Sequence, residues 1–151
     1  MIYDITIMNE NIMSLIIYTD GACSRNGYPD AVAGYGVHFV GKEEWNISRR
    51  LKGKQTNNRA EMQAVVAALK RVYWKGVKKN VVIITDSQIV KGGFDKRKNS
   101  NAANFDLWKK IYYMYDMLSE NIKISVEKCD GHAGIEGNEI ADKLAVAGKT
   151  R

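Results

Sequence analysis

The chain has 151 residues, of which 45% are apolar and 26% are charged, and this length and composition are typical of one compact globular domain. This balance of apolar and charged residues excludes disordered and fibrous classes of protein, and no apolar run approaches the length of a membrane span. The net charge of +6 favours an anionic partner such as nucleic acid or a membrane surface, although a merely basic globular protein fits that charge as well.

Residues 1–13 form a segment that ends at a second plausible start, Met13. They carry Asp4 and Glu10 and no Lys or Arg, unlike a secretory signal or an arginine-rich transit peptide. We therefore expect an N-terminal extension at 1–13 and a single domain at 14–151, and we expect the protein to be a cytoplasmic monomer that does not bind membranes.

The two cysteines, Cys23 and Cys129, are far apart in the sequence, and neither belongs to a Cys-x-x-Cys motif. A zinc site is therefore not expected. Two reduced thiols fit a cytosolic protein better than one disulfide does.

The apolar pattern predicts strands and helices along the whole chain. Five segments have the pattern of strands: 15–19, 34–40, 44–51, 81–85 and 122–127. Three have the spacing of helices, 58–72, 104–118 and 139–147, and a short helix is expected after Ser87. The opening hairpins imply antiparallel pairing and the strand–helix–strand portions imply parallel pairing. The prediction is an α/β fold whose five-stranded mixed sheet carries helices on both faces.

Two of the predicted strands end alike, in an apolar run followed by Thr and Asp, at Thr19-Asp20 and Thr85-Asp86. Ligands of open α/β sheets bind beyond the carboxyl ends of strands, and neighbouring strands lie about 5 Å apart. Two carboxylates that close repel each other unless a cation lies between them, and hard oxygen ligands select Mg²⁺ or Mn²⁺. The alternative is that each aspartate caps its turn. The repetition favours the cation modestly.

Two acidic residues on predicted helices are further candidates. Glu61 lies on the apolar stripe of its helix, where a charge is costly unless it is paired or bound to metal. A capping-box role, reaching back toward Asn57 or Asn58, fits this position equally well. Asp142 lies about one turn into the last helix, where by itself it is an ordinary acidic residue stabilised by the helix dipole.

Five short motifs, in this order and at this spacing, resemble the type 1 ribonuclease H family from about residue 15 to residue 148. The motifs are Thr19-Asp20-Gly21-Ala22-Cys23, Gln55-Thr56-Asn57-Asn58-Arg59-Ala60-Glu61, Thr85-Asp86-Ser87-Gln88, Gly131-His132-Ala133-Gly134 and Gly137-Asn138-Glu139-Ile140-Ala141-Asp142. The resemblance implies a ribonuclease H-like fold. It also implies an endonuclease that hydrolyses the RNA strand of RNA–DNA hybrids and leaves 5′-phosphate and 3′-hydroxyl ends.

The same resemblance implies the catalytic residues. Asp20, Glu61, Asp86 and Asp142 match the family's catalytic carboxylates, which hold two Mg²⁺ ions about 4 Å apart. Mn²⁺ is expected to be able to substitute, and Asp20 is expected to bridge the ions. His132 matches a residue that assists proton movement or release of the cleaved phosphate, a role that suits a side chain titrating near neutral pH. Without the match, it is simply a solvated loop histidine.

Substrate contacts are implied in the same way. The match assigns recognition of the RNA 2′-hydroxyl to Cys23, Asn26, Asn57 and Asn58. It assigns a DNA phosphate site to Thr56 and Asn104, with Lys54 offering charge nearby. Asn26 with Gly27 could equally form a turn, and the Asn57-Asn58 pair could equally cap a helix.

One departure from the family concerns how strongly the substrate is bound. Many members carry a long basic protrusion with a Trp between the third carboxylate and a Leu-Trp pair. Here the stretch between Asp86 and Leu107-Trp108 is shorter, and it contains Lys96-Arg97-Lys98 but no Trp. We therefore predict hybrid binding that is weaker and that falls strongly with salt.

Three other functions are considered. A non-catalytic module that binds hybrids would be favoured by missing carboxylates, and none is missing. Another nuclease of the same fold, such as a resolvase or an integrase, would lack the string from Gln55 to Glu61. A fragment of a reverse transcriptase polyprotein is weakly disfavoured by a chain that begins at Met1 and ends soon after the last predicted helix.

Overall fold

The computed structural model describes residues 14–151, so the predicted extension at 1–13 lies outside the described residues. The strands are β1 (Ser14–Ser24), β2 (Val32–Phe39), β3 (Ile47–Arg50), β4 (Asn80–Thr85) and β5 (Ile124–Lys128). The helices are α1 (Asn57–Trp74), α2 (Gln88–Asp95), α3 (Phe105–Ser119) and α4 (Glu136–Gly148), with a 3-10 turn at Glu43–Trp45. The predicted order of strands and helices is confirmed.

The strands form one mixed sheet in the order β3-β2-β1-β4-β5. The hairpin pairs β1–β2 and β2–β3 are antiparallel, whereas β1–β4 and β4–β5 are parallel. The parallel register places Thr19 opposite Thr85. The residues that follow these two threonines, Asp20 and Asp86, therefore lie side by side where the parallel pairing of β1 and β4 ends.

Helices cover both faces of the sheet, as predicted. One face carries α1 and α3, and residues such as Ile17, Val65 and Trp108 form its large apolar core. The other face carries α4, where Tyr18 and Ala141 belong to a smaller core. Among the described residues, no helix is both long enough and apolar enough to cross a bilayer.

A glycine lets α4 lie directly on the sheet. A Cβ at Gly36 would come within 2.5 Å of the carbonyl oxygen of Ala141, a distance at which atoms cannot coexist without displacement. Since Ala141 precedes Asp142, this close approach helps to fix where the fourth predicted carboxylate lies.

The main difference from the predicted strands is at β1, which was expected to end at Thr19 and continues to Ser24. Pairing with β2 extends the strand, from Asp20 opposite Gly36 to Ser24 opposite Val32. Asp20 is therefore part of a strand and does not cap a turn beyond it, so the capping alternative is wrong for this residue.

The third strand is shorter than predicted, because residues 43–45 form the 3-10 turn and β3 begins at Ile47. Trp45 packs edge-on against Phe39, with ring centroids 5.9 Å apart, and its carbonyl accepts a hydrogen bond of 2.8 Å from Arg71. These contacts hold the segment against α1.

Both cysteines are free thiols, as expected.

Candidate active site

Three carboxylates from three different elements meet at one edge of the sheet. Asp20 comes from β1, Glu61 from α1 and Asp86 from the end of β4, and each offers an oxygen within 4.8 Å of the others'. Asp20 is 4% exposed and Glu61 is 6% exposed, while Asp86 is half-buried. The proximity of the two aspartates follows from parallel pairing, as predicted, and Glu61 joins them from the helix above.

Gly21 makes this assembly sterically feasible. A Cβ at this position would lie 2.5 Å from the backbone nitrogen of Glu61 and 2.8 Å from the Cβ of Ala60. Because Gly21 has no side chain, the first turns of α1 can approach β1 closely enough for Glu61 to reach Asp20. The Gly21 N–H also donates a hydrogen bond of 2.9 Å to Oδ1 of Asp20.

Burial and mutual repulsion control the charge of these acids. Burial, followed by the charge of Asp86, raises the pKa of Asp20 to about 7. Burial, followed by the charges of Asp20 and Asp86, raises the pKa of Glu61 well above its ordinary value. In the protein without a bound cation, burial and mutual repulsion therefore favour the protonated forms of these acids, and a side-chain hydrogen bond joins Glu61 to Asp20.

The residues present fit a hard divalent cation. Oε2 of Glu61 is buried and has no hydrogen-bond partner among the described residues. An unpaired buried oxygen is costly, and a cation between the carboxylates would satisfy it while removing their repulsion. All three side chains offer carboxylate oxygens, which are the ligands that Mg²⁺ and Mn²⁺ prefer.

Asp142 lies at the border of this group. It is half-buried on α4 and is not one of the three residues whose oxygens lie within 4.8 Å of one another. Its charge nevertheless contributes to the raised pKa of Asp20, so it faces the same site. The helix begins at Glu136, earlier than predicted, and Asp142 lies about two turns into it.

The loop between β5 and α4 packs against the third carboxylate. A Cβ at Gly131 would lie 2.9 Å from Oδ2 of Asp86. The next residue, His132, is exposed and has a φ of 57°, in the left-handed region. The structure therefore places the residue before His132 against Asp86 and leaves His132 itself open to solvent.

The start of α1 corrects the predicted capping. Thr56 is the N-cap, and its Oγ1 accepts a hydrogen bond of 3.1 Å from Arg59 N. The backbone N–H of Asn57 donates to Oδ1 of Asn26 at 3.0 Å. Glu61 faces Asp20. The capping alternatives for Glu61 and for the Asn57-Asn58 pair are therefore wrong.

Three other residues predicted to contact substrate lie around this helix start. Lys54 and Asn58 are exposed. Cys23 is half-buried, and its Sγ lies 3.9 Å from the carbonyl oxygen of Gln55. The side chain of Gln55 also accepts a hydrogen bond of 2.7 Å from Ala33 N. Gln55 thus fixes this loop to β2, a role that only its place in the matched string could have suggested.

Arg59 is the main residue that the sequence interpretation missed. Its guanidinium forms two hydrogen bonds with Asp106, of 2.9 and 2.8 Å, and donates a third of 3.1 Å to Oδ1 of Asn104. Arg59 therefore links Asn104, at the start of α3, to the start of α1. Both residues matched to a DNA phosphate site contact Arg59, Asn104 through the guanidinium and Thr56 through the backbone N–H.

The basic segment between α2 and α3 is fastened to α3. Arg97 forms an ion pair with Asp116, and the backbone N–H of Lys98 donates a hydrogen bond of 2.8 Å to the hydroxyl of Tyr112. That hydroxyl donates in turn to the carbonyl of Gly93 at 2.7 Å. The charge of Arg97 is therefore already paired within the protein.

Comparison with known proteins gives a consistent result. The RNase H family model matches residues 13–150. The ribonuclease H of Saccharomyces cerevisiae is 38% identical over 161 residues, a match that covers 91% of this chain and 46% of that protein. The ribonuclease H of Treponema denticola is 36% identical over 159 residues and is matched over 96% of its length, with 89% of this chain covered.

Among solved structures, the ribonuclease H1 of Halobacterium salinarum is 26% identical and superposes with a TM-score of 0.64. That match covers 89% of this chain and 96% of the archaeal one. The chain spans about half the length of the yeast and mouse relatives that it matches, 46% and 50% respectively.

Proposed function

Because the chain belongs to the ribonuclease H family, we propose that it is an endonuclease that hydrolyses the RNA strand of RNA–DNA hybrids. The products would carry 5′-phosphate and 3′-hydroxyl ends. The observation that carries this proposal is the group formed by Asp20, Glu61 and Asp86, whose oxygens lie within 4.8 Å of one another at the edge of the sheet.

The proposed cofactor is a pair of Mg²⁺ ions, with Mn²⁺ able to substitute. Asp20, Glu61 and Asp86 would hold them, with Asp142 completing the set from α4. When bound, the ions would activate a water molecule for attack on the phosphate and stabilise the leaving 3′ oxygen. The unpaired buried Oε2 of Glu61 supports this assignment.

The protein's own groups prepare the site for that chemistry. The Gly21 N–H holds one oxygen of Asp20 in place, so this carboxylate needs little reorganisation when a cation and substrate arrive. The burial of Asp20 and Glu61 excludes bulk water from their side of the site. His132 is exposed at the open side, where it would move a proton to or from the cleaved phosphate.

Recognition of the hybrid is proposed to begin at the start of α1. Cys23, Asn26, Asn57 and Asn58 would contact the RNA 2′-hydroxyls. Oδ1 of Asn26 is already engaged with Asn57 N. Its amide N–H₂ group is the part of the side chain that remains to donate to a hydroxyl oxygen.

The proposed site for a DNA phosphate lies beside it. Thr56 and Asn104 each use their side-chain oxygen as an acceptor for Arg59. This leaves the Thr56 O–H and the Asn104 N–H₂ as donors, which is the polarity that a phosphate requires. The N-terminus of the 18-residue helix α1 adds its positive dipole end, and Lys54 adds an exposed charge.

The proposal is tested by a cleavage assay on labelled RNA–DNA hybrid, double-stranded RNA and double-stranded DNA of one sequence. Each substrate is incubated with Mg²⁺ and, separately, with excess chelator. We expect cleavage of the RNA strand of the hybrid alone, and only with Mg²⁺. Equal cleavage of double-stranded RNA, or activity that survives chelation, would overturn the proposal.

A further inference from the structure

A basic groove of about 700 Å³ lies between α1 and the edge strand β3. Its cationic lining residues come from β3, α1, the intervening loop and the last position of the chain: Arg49, Arg50, Lys52, Lys70, Arg71 and Arg151. From Gln63 to Trp74 the groove follows about 16 Å of the helix, at 1.5 Å per residue. These positions lie on the side of α1 opposite Glu61, so the groove is distinct from the carboxylate group.

The charge of this groove is unbalanced. Among the described residues that line it, none is Asp or Glu. The ion pairs of the described chain, such as Arg59–Asp106 and Arg97–Asp116, include none of the six cations. Like charges around one concavity repel each other and focus a positive potential into it, so the matching ligand is a polyanion.

Two of the cations have fixed positions. Arg71 donates a hydrogen bond of 2.8 Å to the carbonyl of Trp45, and Arg151 donates one of 2.8 Å to the hydroxyl of Ser48. Both acceptors are uncharged, so the two guanidinium groups keep their full charge while losing conformational freedom. Part of the entropy cost of binding an anion is thereby already met in the folded protein.

An aromatic surface adjoins the cations at one end of the groove. Trp74 is 78% exposed and is braced edge-on by Tyr73, with ring centroids 5.5 Å apart. Next to it, Tyr113 is 70% exposed and shares a shallow depression with Lys70 and Lys110. Exposed aromatic faces between cations are the means by which proteins hold single-stranded nucleic acid, since unpaired bases stack on them. In a duplex the bases are already stacked on one another, so they are not available to stack on such aromatic faces.

We propose that this groove binds single-stranded nucleic acid, with phosphates along the six cations and a base stacked on Trp74. The site is separate from the proposed hybrid site and uses none of its residues. It would therefore hold a single-stranded segment without obstructing the carboxylates. The proposal does not depend on catalysis, because binding can be measured in chelator.

The test is fluorescence anisotropy of a labelled oligouridylate of about 12 nucleotides, within the range that single-strand sites occupy. It is measured in chelator over a series of salt concentrations. The charge variant is Lys52→Glu with Lys70→Glu. The matched control is Lys78→Glu with Lys79→Glu, which makes the same change in net charge at exposed residues between α1 and β4. Trp74→Ala and Trp74→Phe test stacking.

We expect the Lys52/Lys70 variant to bind at least about tenfold more weakly than wild type. We also expect its slope of log affinity against log salt to be shallower by about 1.4, for two lost phosphate contacts. Trp74→Ala should weaken binding at least about fivefold, and Trp74→Phe should recover most of that loss. The control pair should change affinity little. Thermal unfolding and cleavage of a short blunt hybrid verify that each variant is folded.

The proposal is overturned if the control pair weakens binding as much as the groove pair, because net charge alone would then explain the affinity. It is also overturned if Trp74→Ala binds like wild type. A wild-type protein that binds blunt double-stranded DNA as tightly as the single strand would contradict it too, since the aromatic surface would then play no part.

Discussion

Arg59 of α1 and Asp106 of α3 form a two-point ion pair, with nitrogen–oxygen distances of 2.9 and 2.8 Å. The same guanidinium donates to Asn104. One arginine therefore joins the two helix starts that carry the proposed DNA phosphate site. Hydrogen bonding from Arg59 lowers the pKa of Asp106 to about 2, so the pair persists down to strongly acidic pH.

We expect Arg59→Ala to act on substrate binding more than on stability. Because Asp106 is 61% exposed, the pair should contribute at most about 1 kcal/mol to the free energy of unfolding. Release of Asn104 should raise the KM for hybrid several-fold and leave kcat nearly unchanged. Steady-state kinetics measures this, with Arg25→Ala, which breaks an exposed pair with Asp30, as the control. A fall in kcat with unchanged KM would contradict the positioning role.

A second prediction concerns pH and the stability of the metal-free protein. The pKa of Asp20 is raised to about 7 in the folded state, above its unfolded value. The folded state therefore binds more protons than the unfolded state between about pH 4 and about pH 7, and stability falls as pH rises through this window.

Asp20→Asn should remove this loss. In chelator at about pH 7, the variant should be more stable than wild type by at least about 1.4 kcal/mol, the equivalent of one pKa unit. The difference should shrink toward about pH 4. Urea unfolding at several pH values measures it, and Asp95→Asn, at an exposed acid, should show no such trend. If the stability difference between Asp20→Asn and wild type instead grew as the pH was lowered, the predicted direction of the pH dependence would be wrong.

Gly21 is predicted to be irreplaceable. Gly21→Ala puts a Cβ 2.5 Å from Glu61 N, so α1 must move away from β1. We expect a loss of about 1–3 kcal/mol in stability, typical of overpacking, together with loss of Mg²⁺-dependent cleavage. Gly92→Ala is the control, because a Cβ there meets nothing within 4 Å and Ala favours a helix. Equal stability of the Gly21 variant and wild type would refute the close-approach argument.

The salt dependence of the KM for hybrid tests the prediction that the hybrid is bound weakly. The basic segment between α2 and α3 is short, and Arg97 is already paired with Asp116. Binding must then rest on scattered phosphate contacts. We expect the KM for hybrid to rise at least about tenfold between about 50 and about 200 mM salt. A KM that is indifferent to salt would contradict this prediction.

The sheet and the pairing of the two aspartates could be predicted because they follow from local patterns. An apolar run followed by Thr and Asp occurs twice, at Asp20 and Asp86, and parallel strands bring such ends together. The end of β1 could not be predicted, because it depends on pairing with β2. The role of Glu61 was also open from spacing alone. It was decided by two residues of register, since Thr56 rather than Asn58 caps the helix and Glu61 therefore lies beyond the capping-box position.

The contacts that were missed join residues far apart in the chain. Arg59 and Asp106 are separated by 47 positions, and no periodicity relates them. The groove cations come from separate segments of the sequence, and no spacing pattern relates them. They converge only because β3 lies at the sheet edge beside α1 and residue 151 returns to it. Such sites depend on tertiary packing, which a single sequence does not reveal.

The most direct test of the central claim is the initial rate of RNA-strand cleavage in a hybrid as a function of Mg²⁺ concentration, for wild type and Asp86→Asn. The proposed site predicts a wild-type rate that rises with Mg²⁺ to saturation and vanishes in chelator. The variant should be slower by about 10³-fold or more, equivalent to about 4 kcal/mol of transition-state stabilisation. Asp95→Asn should retain the wild-type rate. If Asp86→Asn cleaves as fast as wild type at every Mg²⁺ concentration, the carboxylate group is not the catalytic site.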